Sequence, residues 1–316
     1  MKRNPADVLR RGFDNAVANW PLLLVRFAES VVILFIIIAS IFALVVPLIV
    51  SAGLSHFDRD RGESPAEVMA TLLAEHWMIF VYLIFLVTVV SLVLLAIHCF
   101  VVAGTARVLV DAERAAGPAP PTRDRFRLFS IDHFMAGGRR GFWPVFWIYN
   151  VTYGVAALIT LVPLMVFALL ALASATIAWP LAAGLGCLGL VVTILAALIS
   201  MMGAAIWTQK ATVVCTERRS SGNDALRMAW REIGADFARH FIVTIVMVLI
   251  GVGVSGVFNA ISVALSGPTM LPHNAGAALA MMFLPARFAV SSLGGIAGAA
   301  VSLWFTASFA ALSEKP

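Results

Sequence analysis

Charged residues are missing from long parts of this 316-residue chain, and only 12% of its residues carry a charge. The longest gap covers residues 141–209, 69 positions without an Asp, Glu, Lys or Arg. Soluble proteins contain roughly 25% charged residues. A helix crosses the ~30 Å hydrocarbon layer with roughly 20 apolar residues, and an ionised group at its centre costs about 2.5–3.5 kcal/mol. The pattern therefore excludes a soluble protein and predicts an all-α, polytopic membrane protein.

Cysteine is equally scarce, since Cys99, Cys187 and Cys215 are the only three and none forms a C-x-x-C pair. This excludes a disulfide framework and a zinc site by spacing, and we expect small, buried apolar residues at these positions. No nucleophile–base pair or phosphate-binding loop stands out. We therefore expect no catalytic residue, metal or cofactor. The G-x-G-x-x-G matches at residues 184–189 and 251–256 lie inside apolar segments, which favours close helix packing over nucleotide binding.

Charge-free windows predict six membrane spans, arranged as three hairpins within a single membrane domain. The spans are residues 31–50, 78–102, 147–172, 180–202, 241–265 and 291–311. The fourth follows the third after a turn at residues 173–179. An apolar stretch at residues 277–286 is too short to cross the bilayer, and we expect it to be re-entrant or interfacial.

The basic residues predict the orientation of these spans. The two sides of the membrane receive 19 and 3 of the 22 Lys and Arg residues, and the first connection on the poor side is acidic. Positive residues concentrate in cytoplasmic segments. We therefore expect both termini in the cytoplasm and the protein in a bacterial inner membrane. The concentration of Lys and Arg in cytoplasmic segments also explains the net charge of +5, so we expect no nucleic-acid partner.

Three similar units make up the predicted architecture: residues 1–102, 123–207 and 220–316, with a cytoplasmic linker at 103–122. Each begins with a basic amphipathic helix before its hairpin. In the third unit, Leu226, Ala229, Trp230 and Ile233 form an apolar stripe, and Ser221 followed by Asp224 resembles a capping box. Such helices either lie among lipid headgroups or cap the bundle, and the two roles are compatible. The predicted contacts to anionic headgroups are Arg10, Arg11, Arg139, Arg140, Arg227, Arg231 and Arg239.

Few polar residues fall inside the predicted spans, and the main ones are His98, Asn150 and Asn259. No acidic residue falls inside a predicted span. We therefore expect an interfacial or packing role for His98 rather than a proton relay. The asparagines, together with Thr152, Tyr153 and Thr193, are expected to form hydrogen bonds between helices, worth about 0.6 kcal/mol each.

Two short segments, residues 223–231 (NDALRMAWR) and 237–241 (FARHF), resemble a known architecture, with weaker counterparts at residues 12–21 and 140–146. They are similar to bacterial six-span membrane families of mostly unassigned function, among them the membrane domain attached to some glycerophosphodiester phosphodiesterases. The resemblance implies the six-span fold. Phosphodiesterase activity is not implied, because nothing outside the spans could form the soluble catalytic domain.

We expect a non-enzymatic cytoplasmic-membrane protein, a lipid-contacting scaffold or an accessory to membrane or envelope homeostasis, with anionic lipid headgroups as its partners. A transporter or permease for a small molecule or lipid is the alternative.

Overall fold

The computed structural model describes residues 3–52, 77–118, 122–175, 177–266 and 273–313. Within these ranges the regular structure is helical, as predicted, and includes one short 3₁₀ turn at Arg123–Phe126. The α-helices are α1 (Pro5–Ala18), α2 (Pro21–Ala52), α3 (Trp77–Ala116), α4 (Ile131–Ala175), α5 (Trp179–Arg218), α6 (Gly222–Ala235), α7 (Phe237–Ser266) and α8 (His273–Ser313). The predicted acidic connection at residues 58–75 and residues 119–121 of the linker lie outside the described residues.

Six of these helices contain a segment long and apolar enough to cross a membrane, which confirms the predicted number of spans. The segments are Pro21–Ala43, Val81–Ala116, Ile131–Ala175, Trp179–Arg218, Phe237–Ser266 and Met282–Ser313. Each buries at most 17% of its most apolar stretch inside the protein. The side chains that stay exposed need an apolar solvent, which a bilayer supplies.

The chain divides into two compact units: residues 1–26 with 99–316, and residues 27–98. The boundaries fall inside α2 and α3. Helix α1 is grouped with residues 99–316. The three units drawn from the sequence stay a prediction.

In the larger unit, the core lies at one end of long helices. Helices α4 and α5 contain 45 and 40 residues, so each is about 60 Å long or more, twice the hydrocarbon thickness. Buried side chains concentrate where six helices meet, in a cluster of Val8, Val110, Val213, Ile233, Val243 and Phe309 among others. We call the described residues of 3–26, 99–156, 204–247 and 303–313 the basic end, because most arginines lie there.

The chain segments predicted to share one side of the membrane meet at this basic end. Arg114, near the end of α3, donates from Nη2 to the Glu217 carbonyl near the end of α5, at 2.6 Å. Arg3 donates from Nη1 to the Ala311 carbonyl near the end of α8, at 3.0 Å. The second and fourth connections and both ends of the described chain therefore lie together, as the positive charges require.

Two predicted breaks between helices are absent. The amphipathic segment before the third span is the first part of α4, which continues from Ile131 to Ala175 through Pro144 and Pro163. Residues 277–286, expected to be re-entrant or interfacial, belong to the same helix as the sixth span. Separate short helices, α1 and α6, precede α2 and α7. Half of the predicted capping box of α6 is present: Ser221 Oγ accepts a hydrogen bond from the Asp224 N–H at 3.2 Å, but the Asp224 carboxylate accepts from Ser221 Oγ at 2.7 Å rather than from its N–H.

Glycines permit close helix contact at fewer places than the motifs predict. A Cβ at Gly189 would lie 2.3 Å from the Phe167 Cβ, so α4 and α5 touch there. At Gly294 the nearest atom of Phe258 on α7 would be 3.2 Å away. Among the described residues, no atom lies within 4 Å of a Cβ built at Gly253 or Gly256. The 251–256 motif therefore does not mark a tight contact in this part of the chain.

The closest approach at the basic end is that of α1 and α8, and we expect Gly12→Ala to destabilise the protein. A Cβ at Gly12 would lie 2.7 Å from the Ser308 nitrogen and 2.8 Å from its Cα, and backbone atoms cannot rotate away. Overpacking of this kind costs about 1–3 kcal/mol. The Gly12→Ala variant should therefore show a lower melting temperature in detergent.

The control is Gly154→Ala in α4, where no described atom lies within 4 Å of the new Cβ. Alanine is the better helix former by up to about 1 kcal/mol, so this variant should melt at or above the wild-type temperature. Equal melting temperatures for the two variants would contradict the contact.

Candidate functional site

Helix α1 buries polar residues while part of its apolar surface is exposed. Val8, Arg11, Gly12 and Asn15 are buried, whereas Phe13 is 42% exposed and Trp20, just after the helix, is 54% exposed. An amphipathic helix on a water-soluble protein usually buries its apolar side chains. The outward apolar stripe fits a surface that contacts lipid.

A buried carboxylate holds the polar face of α1 in place. Glu113 of α3 is 1% exposed, and its Oε1 accepts hydrogen bonds from Arg11 Nε at 2.8 Å and Arg3 Nη1 at 2.9 Å. Arg11 also donates from Nη2 to the Gly117 carbonyl at 2.7 Å. Removing one partner of such a buried pair typically costs 3–5 kcal/mol. The cluster therefore fixes α1 against α3.

Two buried asparagines extend this polar contact. Asn15 donates from Nδ2 to the Leu109 carbonyl at 2.9 Å. Asn19 donates from Nδ2 to the Phe126 carbonyl at 2.8 Å, while its Oδ1 accepts from the N–H groups of Leu128 and Phe129. Asn19 thereby positions the segment that follows the proline-rich linker. The asparagines lie four residues apart, the spacing of one helix face, which was the signal available in the sequence.

A second ionic cluster joins α5, α6 and α8. Lys210 is 1% exposed, and its Nζ lies 2.8 Å from Glu232 Oε2 and donates to Ser313 Oγ at 2.7 Å. Arg218 also pairs with Glu232. By sequence Lys210 belongs to the fourth connection, but α5 continues past it to Arg218. The lysine is therefore a buried link between helices rather than a loop residue.

Burial alone would raise the pKa of the Glu232 carboxyl. The hydrogen bond from Lys210 and the positive charges of Lys210, Arg218 and His240 outweigh that effect and hold the pKa of Glu232 below its ordinary value. Glu232 is therefore ionised at neutral pH and compensates the buried ammonium group.

The structure divides the seven predicted headgroup contacts into two groups. The side chain of Arg11 points inward to Glu113, and Arg239 pairs with Asp236 and donates to the Arg3 carbonyl. The other five are exposed and have no ion-pair partner among the described residues: Arg10, Arg139, Arg140, Arg227 and Arg231. These five remain candidates for contact with lipid.

Exposed tryptophans lie beside these arginines. In α4, Trp143 is 71% exposed and follows Arg139 and Arg140 by one turn. In α6, Trp230 is 65% exposed and lies between Arg227 and Arg231. Arginine next to an exposed amphipathic ring is typical of a membrane–water interface.

Helix α6 also caps the bundle, the second role considered for the amphipathic helices. Leu226 and Ala229 are buried against Ile148, Ala211 and Cys215 of α4 and α5. The residues of its predicted apolar stripe therefore lie on two sides of the helix. Leu226, Ala229 and Ile233 face the protein, and Trp230 faces outward.

The predicted span polar residues do not gather at one site. In the smaller unit, His98 Nδ1 lies 2.7 Å from the buried Glu29 Oε1, which corrects the expectation that His98 has no acidic partner at that depth. Asn150 donates to the Phe146 carbonyl of its own helix rather than to another helix. Asn259 is exposed on α7.

Hydroxyl groups supply the interhelical hydrogen bonds that the asparagines were expected to make. The Oγ1 atoms of Thr152 and Thr208 lie 2.6 Å apart, and Thr160 Oγ1 lies 3.2 Å from Ser200 Oγ. Both pairs join α4 to α5, the longest helix contact of the larger unit.

Cys99 and Cys215 are buried, as expected, whereas Cys187 is exposed on the apolar surface of α5. Within the described ranges, no three His, Cys, Asp or Glu side chains are close enough to hold a metal ion.

No protein-family model, curated protein or solved structure matches this chain. The similarity to the phosphodiesterase membrane domain stays a prediction, and function is inferred from the chain's own side chains.

Because Lys210 and Glu232 form an ion pair, we expect the folded protein to lose stability in acid. Because folding lowers the pKa of Glu232, its stabilising effect is complete above the pKa of an unfolded glutamate, about 4.3. The effect is lost as the pH falls through the lower folded value. Glu232→Gln should therefore melt below the wild type at neutral pH, and the difference should shrink once the pH falls below about 4.3.

Melting curves of the two proteins across this pH range test the prediction. Asp124→Asn, at an exposed carboxylate, serves as the control and should follow the wild type. A difference between Glu232→Gln and wild type that stays constant with pH would contradict the ionised pair.

Proposed function

We propose that this chain is a non-enzymatic protein of the bacterial cytoplasmic membrane whose basic end binds anionic lipid headgroups. In this role it acts as a scaffold or as an accessory to membrane or envelope homeostasis. The basic end faces the cytoplasm, because positive residues are retained on that side during insertion.

The observation that carries this proposal is that five of the seven predicted headgroup arginines are exposed and have no ion-pair partner among the described residues. Basic residues at an anionic membrane surface contribute about 1 kcal/mol each. Arginines of α1, α4 and α6 lie at the same end of the larger unit, so their contributions act on one patch of membrane. The exposed Trp143 and Trp230 support the same placement.

The exposed apolar side chains at α1 support lipid contact independently. Phe13 and Val17 of α1 and Trp20 just after it are exposed, while Arg11 and Asn15 of the same helix are buried. In water this stripe would be an exposed apolar patch, which soluble proteins avoid. Against acyl chains it is stabilising, with Arg10 at its edge among the headgroups.

Lipid selectivity of the full-length protein in mixed vesicles tests the proposal. Spin-labelled phosphatidylglycerol should associate with the wild type more strongly than spin-labelled phosphatidylcholine. The double variant Arg227→Gln/Arg231→Gln should lose part of this preference, up to about fivefold for each arginine. Salt should weaken the wild-type preference, because exposed charges are screened.

The control is Arg125→Gln/Arg127→Gln, which removes the same charge from exposed positions outside the α-helices. It should retain most of the preference. If this control loses as much as the α6 variant, or if the wild type does not prefer phosphatidylglycerol, the proposed helix-face contact is refuted.

A transporter or permease for a small molecule or lipid is the second candidate, and one observation favours it. Glu29 is buried and paired with His98, and both belong to apolar helices long enough to span a membrane. Ionisable groups in such helices are commonly functional.

Proton flux in proteoliposomes separates the two candidates. If the chain acts only through lipid contact, dissipation of a pH gradient should equal that of empty vesicles. Flux above this level that Glu29→Gln abolishes and Asp124→Asn retains would favour the transporter instead.

A further inference from the structure

A cavity of about 260 Å³ lies between α3, the first part of α4 and the last turn of α5, all within the larger unit. Two of its lining residues, Gly137 and Gly141, are the points where α4 approaches α3. A Cβ at Gly137 would lie 2.5 Å from the Arg107 Cβ, and one at Gly141 would lie 3.0 Å from the Ala103 Cβ. The cavity therefore opens beside the close contact between α3 and α4. Its wall is largely apolar.

Three arginines from three segments line this cavity: Arg107 of α3, Arg140 of α4 and Arg219 after α5. Asp111 Oδ2 lies 2.7 Å from Arg107 Nε and 3.1 Å from Nε2 of His133, so it compensates part of the charge. Neither Arg140 nor Arg219 has an ion-pair partner among the described residues. The cavity therefore carries excess positive charge.

Arg219 occupies a backbone position that favours glycine. It follows the last residue of α5 with φ 52° and ψ 38°, and it is the one non-glycine residue with positive φ in the described part of the chain. Helices commonly end on glycine in this conformation, because a Cβ is disfavoured there. Non-glycine residues held in such conformations concentrate at ligand-binding sites. Compared with a glycine at this position, Arg219 supplies a guanidinium group at the cavity.

Ser220 supplies a further polar group. It lines the cavity, and its Oγ is buried and has no hydrogen-bond partner among the described residues. A buried hydroxyl without a partner loses the hydrogen bonds it would make in water. A rotation of this side chain toward the cavity would let the hydroxyl donate to a ligand oxygen.

We propose that this cavity binds a phosphate group, carried either by a phospholipid headgroup or by a soluble phosphate monoester. Guanidinium groups bind phosphate oxygens through paired, charge-assisted hydrogen bonds. Arg140 and Arg219 are available for this, and Ser220 provides a third donor. At about 260 Å³ the cavity is smaller than the ~300–1,000 Å³ of pockets for drug-sized ligands. It therefore accommodates a phosphate headgroup, with any acyl chains outside.

This site goes beyond lipid contact by exposed helix faces, because it is a single, saturable position. It rests on the proposed function only through Arg140, which belongs to both. Arg107, Arg219 and Ser220 are absent from the residues predicted by sequence to contact lipid.

Calorimetric titration of the full-length protein in a phosphate-free maltoside detergent tests the site. The probes are glycerol 3-phosphate and dihexanoyl phosphatidic acid, which carry the same phosphate without and with acyl chains. We expect saturable binding of one equivalent. Arg140→Gln and Arg219→Gly should each weaken it about tenfold or more, since each removes a bond to a charged group.

Arg125→Gln is the matched control, because Arg125 is exposed, carries the same charge and neither lines the cavity nor belongs to the predicted headgroup contacts. It should change affinity by no more than about twofold. Arg219→Gly should melt at or above the wild-type temperature, because glycine adopts this φ freely. Weaker binding in that variant therefore cannot be attributed to unfolding.

Binding of both probes indicates a soluble phosphate monoester as sufficient ligand, whereas binding of dihexanoyl phosphatidic acid alone indicates a lipid. Absence of saturable binding of either probe overturns the site, as does equal weakening by Arg125→Gln and Arg140→Gln. The phosphatidylglycerol preference in vesicles is tested at Arg227 and Arg231, which do not line the cavity. A protein that keeps this preference but binds neither probe therefore refutes the cavity and leaves the proposed function intact.

Discussion

The buried Glu113 carboxylate, shared by Arg3 and Arg11, is the interaction on which the basic end depends. A buried carboxylate is costly without cationic partners, so the two guanidiniums must face inward. Because Arg11 lies on α1, this requirement sets the rotation of the whole helix. Phe13 and Val17 then face outward, and Gly12 must touch α8. The exposed apolar stripe of α1 is thus a consequence of a polar contact on its opposite side.

The end of α8 is held by both ionic clusters. Arg3 reaches the Ala311 carbonyl from the first cluster, and Lys210 reaches the Ser313 hydroxyl from the second. The apolar stretches of the spans are mostly exposed, so they contribute little to this unit's core. Helices in lipid gain no hydrophobic driving force from one another, and polar contacts and close packing must replace it. This explains why charged side chains are buried where the helices extend beyond a membrane thickness.

Hydropathy and charge alone predicted the all-helical class, the six spans, the turn before Trp179 and the cap at Ser221. These features follow from the local sequence, because a long charge-free helix is stable mainly inside a bilayer and a cap depends on neighbouring residues. Arg11, Lys210 and Asn19 could not be placed in the same way. A single sequence shows that a residue is charged or polar, but not which distant residue it pairs with in the fold. Glu113, for example, is about a hundred positions from its partner Arg11. Likewise, nothing in the sequence at Arg219 predicts a positive φ, because glycine is the residue expected in that conformation. The acidic partner of His98 was not predicted, because Glu29 lies just outside the predicted span.

The most direct test of the account is the environment of α1 in a bilayer. Nitroxide labels on a cysteine-free background at positions 13 and 17 should be accessible to oxygen, which concentrates among acyl chains, and shielded from a water-soluble nickel chelate. A label at position 7, an exposed acidic position on the same helix, should show the reverse. If the labels at 13 and 17 are instead quenched by nickel and little affected by oxygen, α1 faces water. In that case the ion pair of Arg11 with Glu113 does not turn the apolar stripe of α1 toward lipid.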